Sequence, residues 1–226
     1  MKLNPSKCAF GVSAGKFLGF MVSQRGIEVS PNQVKAVMET PPPRNKKELQ
    51  RLTDKLIALR RFIARFTDEL RPFFLVIRKA GTSGWTDSCQ SAFDKIKHCL
   101  MQPPILSSPI PKEKLYMYLA VLEWAISAVL FRCPSPKEQK PIYYVSRALA
   151  DVETRYSKME LMTLALRSAA QKLCPYFQAH SVVVLTNQPL RNILHNNRKN
   201  AAMGHRIERI WNRVPTQIVH ERLNDG

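Results

Sequence analysis

Leu49, Leu52, Leu56, Leu59, Ile63 and Phe66 recur at spacings of three and four, which puts them on one stripe of an α-helix. Asn45, with Glu48 three residues on, supplies a start signal. The pattern predicts one helix over residues 45–66, roughly 30 Å long at 1.5 Å rise per residue. Ahead of it, short runs at 8–12, 17–22 and 27–29 predict strands with turns at Gly15 and Gly26. Ser30, Pro31 and Gln33 predict a helix that opens with a capping box, and Pro41-Pro42-Pro43 ends it. A shorter helix is expected near 68–78, followed by a linker at 81–84. Thr86 caps a further helix with Phe93, Ile96 and Leu100 on one side, and Pro103-Pro104 closes it. The text then changes to strands at 115–121, 126–131 and 141–146, a helix through Glu160 and a buried strand at 180–186. After Asn196 the period is lost, which predicts a poorly ordered tail over 196–226.

Composition adds one strong fact. The 226 residues carry a net charge of +18. A balance this basic points to a polyanionic partner, nucleic acid above all, or to a soluble basic piece of a more neutral parent. Lys47, Arg51, Lys55, Arg61 and Arg65 fall on an arc beside the apolar stripe of the 45–66 helix. Such an arc suits a phosphate backbone, where cations release condensed counterions, or is simply a solvated face; Asp54 interrupts it. Cys8, Cys89, Cys99, Cys133 and Cys174 are scattered, with no C-x-x-C, and the five histidines show no ligand spacing. Reduced thiols and no metal site are expected, hence an intracellular protein, cytoplasmic or nuclear. No apolar run reaches about 18 residues and no apolar core follows the first few, so neither membrane association nor secretion is expected.

Two stretches carry a family resemblance. Asn4-Pro5-Ser6-Lys7-Cys8-Ala9-Phe10, then Phe17-Leu18-Gly19-Phe20, then Gly26-Ile27 and Ser30-Pro31, resemble the end of the palm in a gypsy-type retrotransposon reverse transcriptase. Trp85, Phe93 and Leu100, Tyr143-Tyr144-Val145-Ser146, Glu153-Thr154-Arg155-Tyr156 and Glu160 resemble the ribonuclease H region of the same polyproteins. The resemblance implies that Phe17, Leu18, Gly19 and Phe20 form a primer-grip-like hairpin, and that the 45–66 helix is the first helix of a thumb. It implies nucleic-acid contact by those four residues and by Lys47, Arg51, Lys55, Arg61 and Arg65. Trp85, Phe93 and Leu100 are expected in the core rather than on a base-stacking platform.

The departures from the family matter more. Where its first strand ends in Asp-Ala-Ser-Asp, this chain has Ala120-Val121-Leu122-Glu123; where it has Thr-Asp, this chain has Thr186-Asn187. Of the matched catalytic carboxylates only Glu160 is in place. Cleavage of RNA in a hybrid uses two Mg²⁺ ions about 4 Å apart. Alanine offers such an ion no ligand and asparagine offers only a neutral oxygen. The family's Tyr-x-Asp-Asp polymerase motif does not occur, and no Asp-Asp pair is present. The expected fold is α/β with an α+β N-terminal part: palm end over 1–40, thumb and connecting helices over 41–82, and a truncated ribonuclease H-like mixed sheet with flanking helices over 83–195. The parent activities implied are RNA-directed DNA synthesis and hybrid cleavage, with Mg²⁺ as the cofactor of intact members and none expected here. This chain is expected to retain at most nucleic-acid binding. The alternatives are a non-catalytic spacer that contacts other parts of the polyprotein, and the product of a decayed element without function.

Overall fold

The computed structural model describes residues 11–17, 19–78 and 85–186, together with the backbone of 216–219. A small antiparallel sheet comes first: β1 (Ala14–Phe17), β2 (Phe20–Ser23) and β3 (Gly26–Val29). Phe17 pairs with Phe20 and Gly15 with Val22, so Gly15 lies within a strand rather than at a turn. Gly19 adopts φ +85°, a conformation that L side chains rarely accept. Helix α1 (Pro31–Met38) follows. Its expected capping box is not made: Ser30 is buried and makes no side-chain cap, and Gln33 turns toward the hairpin, with Nε2 3.6 Å from where a Cβ on Gly19 would lie.

The predicted 45–66 helix is shorter than its apolar stripe. Helix α2 spans Lys46–Ala58, capped by Asn45, whose side chain accepts from Glu48 N–H at 2.9 Å. The chain then tightens into a 3-10 turn, Arg60–Phe62, passes through Arg65 in the left-handed conformation (φ 52°), and re-enters as α3 (Phe66–Glu69) and α4 (Arg71–Arg78). Leu59, Phe62, Ile63 and Phe66 are nonetheless all buried. The break redirects the chain without releasing its apolar side chains, so burial of that stripe offsets the roughly 1–2 kcal/mol that a left-handed non-glycine residue costs.

Helix α5 (Asp87–Met101) starts at Thr86, which accepts from Cys89 N–H. Its Cys89, Ala92, Phe93, Ile96 and Leu100 join the core formed by α2, α4, Val29 and Val37. Trp85 meets Phe93 edge-on at 5.8 Å and donates its indole N–H to Gln90, so Trp85 is a packing residue.

The second sheet has the order β6-β5-β4-β7-β8. Strands β4 (Leu115–Val121), β5 (Ala125–Ser135) and β6 (Glu138–Ala148) form an antiparallel meander. Two helices, α6 (Lys158–Lys172) and α7 (Cys174–Ala179), lead to β7 (Val182–Leu185), parallel to β4. The α/β mixed sheet expected from sequence is therefore present. Leu115, Met117, Ala128 and Leu130 face Leu166, Ala169, Leu173 and Phe177 of the helices. One expectation is corrected. Four residues of the tail, Thr216–Val219, form β8 and pair in parallel with β7 from Val182↔Thr216 to Leu185↔Val219. Completing the backbone ladder on the exposed side of β7 gives this short run a place that its own pattern does not announce.

The segment that follows α5 links the two sheets. Ile27 and Leu106 exchange both backbone hydrogen bonds, at 2.8 and 2.9 Å, and Ser107 N–H then donates to Pro141 of β6 at 2.7 Å. Gly26 (φ +137°) makes this possible, since a Cβ there would sit 2.1 Å from the Leu106 carbonyl oxygen. Gly26→Ala is expected to cost more than about 2 kcal/mol, combining backbone strain with a clash against backbone. Gly15→Ala, whose Cβ meets only Val12 at 3.9 Å, is expected to stay within about 1 kcal/mol. Urea melts of the two variants check the contrast.

Candidate functional site

The ribonuclease H-like site is read from three positions. Ala120 lies next to last in β4 and pairs with Ser127. Leu119 and Val121 pack toward the core beneath α6, so alternation turns Ala120 to the opposite face. The same row continues through Ser127 to Ser146 of β6. Ser127 Oγ lies 3.1 Å from Ser146 Oγ, which also accepts from Thr67 N–H at 3.1 Å. The sheet beside Ala120 thus carries hydroxyls engaged in tying α3 to β6. Asn187 falls outside the described residues, and Thr186 before it is buried.

Glu160 has a defined task. It is the third residue of α6, and Ser157 is the cap. Glu160 N–H donates to Ser157 Oγ at 3.3 Å, while Glu160 Oε2 accepts from Ser157 N–H and Ser157 Oγ, both at 2.8 Å. This reciprocal box satisfies donors that the first helical turn leaves free. Glu123 is exposed in the β4–β5 turn. Among the described residues, no three His, Cys, Asp or Glu side chains gather so as to hold a metal ion. The residues present do not fit the Mg²⁺ of intact family members: the Ala120 side chain has no donor atom, and one oxygen of the Glu160 carboxylate is engaged at its helix start.

The candidate binding residues separate into two groups. Lys47, Arg51 and Lys55 are exposed on α2, opposite buried Leu49, Leu52 and Leu56. Glu48 shares that surface; a hydrogen bond from Arg44 N–H and the charges of Arg44 and Arg51 hold its carboxyl below the usual range. Arg61 and Arg65 leave the arc, because the helix that would have continued it ends at Ala58. Arg65 pairs with Asp68, which also accepts from Trp124 Nε1 at 3.0 Å. Arg61 lies over three rings, Phe20 at 5.3 Å, Phe62 at 5.7 Å and Tyr143 at 4.8 Å. Its Nε is buried without a hydrogen-bond partner. Phe17 is 67% exposed at the hairpin, Phe20 is half-buried against Phe62, and Leu18 lies outside the described residues.

Sequence reasoning missed Arg147 and Glu153. They form a two-pronged ion pair at 3.0 Å for each prong, and Glu153 also accepts from Ala150 N–H at 2.8 Å. Glu153 is named in the family resemblance, but nothing in the spacing marked Arg147 as its partner.

A family profile described as the RNase H-like domain found in reverse transcriptase matches residues 85–184. The Transposon Tf2-3 and Tf2-4 polyproteins of Schizosaccharomyces pombe (strain 972 / ATCC 24843) are each 27% identical over 164 residues, 73% of this chain. Residues 85–184 thus match an RNase H-like domain, and the chain is similar in sequence to a segment of these retrotransposon polyproteins. It spans about 12% of the length of those relatives. Its fold resembles the foamy viral protease-reverse transcriptase solved in complex with RNA/DNA hybrid, with a TM-score of 0.79, 17% identity, and coverage of 96% of this chain and 30% of that one. It also resembles that enzyme solved with dsDNA, with a TM-score of 0.75, 18% identity, and coverage of 95% and 46%. Among the described residues, no helix is long and apolar enough to cross a membrane.

Two outcomes follow for the RNase H-like domain. Ser157→Ala and Glu160→Ala should each cost about 1 kcal/mol. The double variant should cost little more than either alone, because they remove one shared box. Chemical denaturation of the four proteins measures this. Glu153→Gln should cost about 1–3 kcal/mol at neutral pH, the range for hydrogen bonds to charged groups. The Arg147 bonds, then the Ala150 N–H, hold the Glu153 carboxyl below its usual range. Its stabilisation is therefore fully present above the unfolded value of about 4.3 and is lost as pH falls through the lower folded value. The gap between wild type and Glu153→Gln should be constant above about pH 5 and close in stronger acid.

Proposed function

We propose that this segment binds duplex or hybrid nucleic acid through its backbone and does not cleave it. The observation that carries the reading is the pairing of an alanine at the β4 position with a glutamate committed to its own helix cap. Two-metal hydrolysis needs several anionic oxygens around one point, and these residues do not supply them. Support for binding comes from the +18 charge and from three exposed cations on one side of α2. The likeness in fold to a reverse transcriptase solved with dsDNA and with RNA/DNA hybrid supports it further. On this reading 1–40 is the palm end, 41–82 the thumb and connecting helices and 83–195 the RNase H-like domain. Lys47, Arg51 and Lys55 meet phosphates, and the β1–β2 hairpin lies along the strand being held. The bonds of Thr67 to Ser146 of β6 and of Asp68 to Trp124 also favour a second reading, in which the RNase H-like domain serves as a spacer toward other parts of the polyprotein.

The purified chain in Mg²⁺ should leave the RNA of a labelled hybrid intact and should bind that hybrid with affinity falling linearly in log–log fashion as salt rises. Replacing Lys47, Arg51 and Lys55 by Gln should leave the melting curve unchanged and lower the salt slope by about 0.9 per lost phosphate contact on B-form DNA. Metal-dependent cleavage abolished by Glu160→Gln would overturn the non-cleaving part. Binding that is absent or flat in salt would favour the spacer.

A further inference from the structure

We infer that Arg61 is a positioning residue through which the RNase H-like sheet orients the β1–β2 hairpin. The inference deepens the proposed binding role and rests on it for its functional meaning, though not for its structural content. Arg61 is placed by the 3-10 turn that ends the α2 stripe, and its guanidinium lies between Phe20 of β2 and Tyr143 of β6. Phe20 and Phe62 are themselves 5.5 Å apart. With Nε buried and without a hydrogen-bond partner, Arg61 has only its Nη hydrogens to offer a phosphate. A planar cation held between two rings is a strong geometric constraint on both, because it satisfies two π faces only at one separation and tilt.

The stack closes a loop of contacts. From Tyr143 the chain of β6 runs back to Pro141, whose carbonyl accepts from Ser107, and Leu106 is bonded in both directions to Ile27 of β3. Strand β3 pairs with β2, which carries Phe20. The hairpin sheet is thus fastened to β6 at two points, by backbone at β3 and by Arg61 at β2. Phe20 and Ile27 also pack against the helical core, and Arg61 adds the contact that runs from β2 to β6. The RNase H-like sheet, without its metal carboxylates, then serves as the buttress for the hairpin.

Hydrogen–deuterium exchange on the full chain tests this. Arg61→Lys keeps the charge but loses the planar face, and Tyr143→Leu removes the far ring. Each should speed exchange of the amides in 14–23 by about tenfold, the factor expected when a desolvated cation–π contact is lost. The double variant should be no faster than either single one, and Tyr143→Phe, which keeps the ring, should match wild type. For dsDNA, Arg61→Lys should weaken binding with an unchanged salt slope. Hairpin exchange that responds to Arg61→Lys but not to Tyr143→Leu overturns the inference, as does exchange that responds to neither. Should Arg61→Lys unfold the protein, Tyr143→Leu set against Tyr143→Phe decides by itself. A salt slope reduced by Arg61→Gln would make Arg61 a phosphate contact instead. If dsDNA does not bind at all, the proposed function fails while the exchange result still decides the coupling.

Discussion

The two-way backbone pairing of Ile27 with Leu106, against a glycine with no room for a side chain, is the contact on which the arrangement of the chain depends. It fixes the segment between α5 and β4 in an extended state, and that segment is also bonded to β6 one residue later. The small sheet, the helical core and the large sheet therefore share a common edge. Directional polar and aromatic contacts cross that edge: Thr67 to Ser146, Asp68 to Trp124, Arg71 over Trp124, Arg61 over Tyr143. Directional contacts fix orientation where a slippery apolar interface fixes only proximity.

Helix α5 shows how far the division between parts is blurred. The family profile begins at Trp85, with the RNase H-like domain, yet the buried face of α5 fills the core of the preceding helices. Strand β6 is split in the same manner, with Tyr143 against the α6-side core and Tyr144 against the helical one. Neither part retains a complete core when the other is removed, so the borders of the family match do not coincide with borders of packing.

Much of the architecture could be read from the residues, and the failures have definite causes. The strand at 115–121 and the apolar side of α2 follow from periods of two and 3.6 that burial enforces. The stripe Leu49 to Phe66 did not reveal the break after Ala58, because the 3-10 turn and left-handed Arg65 keep every apolar member inside. Arg61 looked like its basic neighbours for the same reason; only tertiary structure shows that rings from β2 and β6 enclose it. Gln33 fitted a capping pattern, yet its side chain was drawn to the hairpin. Residues 216–219 are too few to show a period, and only the free edge of β7 gives them a partner. At the site, the alanine at position 120 was plain from sequence, whereas the cap that Glu160 makes with Ser157 needed coordinates.

That role bears on how such chains change over time. A glutamate at the third position of a helix that opens with serine is worth keeping for folding alone. Selection on helix initiation preserves the residue whether or not hydrolysis survives, while an unpaired aspartate on a strand face has no such second employer. In this register, then, a helix acid has a folding role that is separate from any metal chemistry. A glutamate in this register records, first of all, how the helix starts.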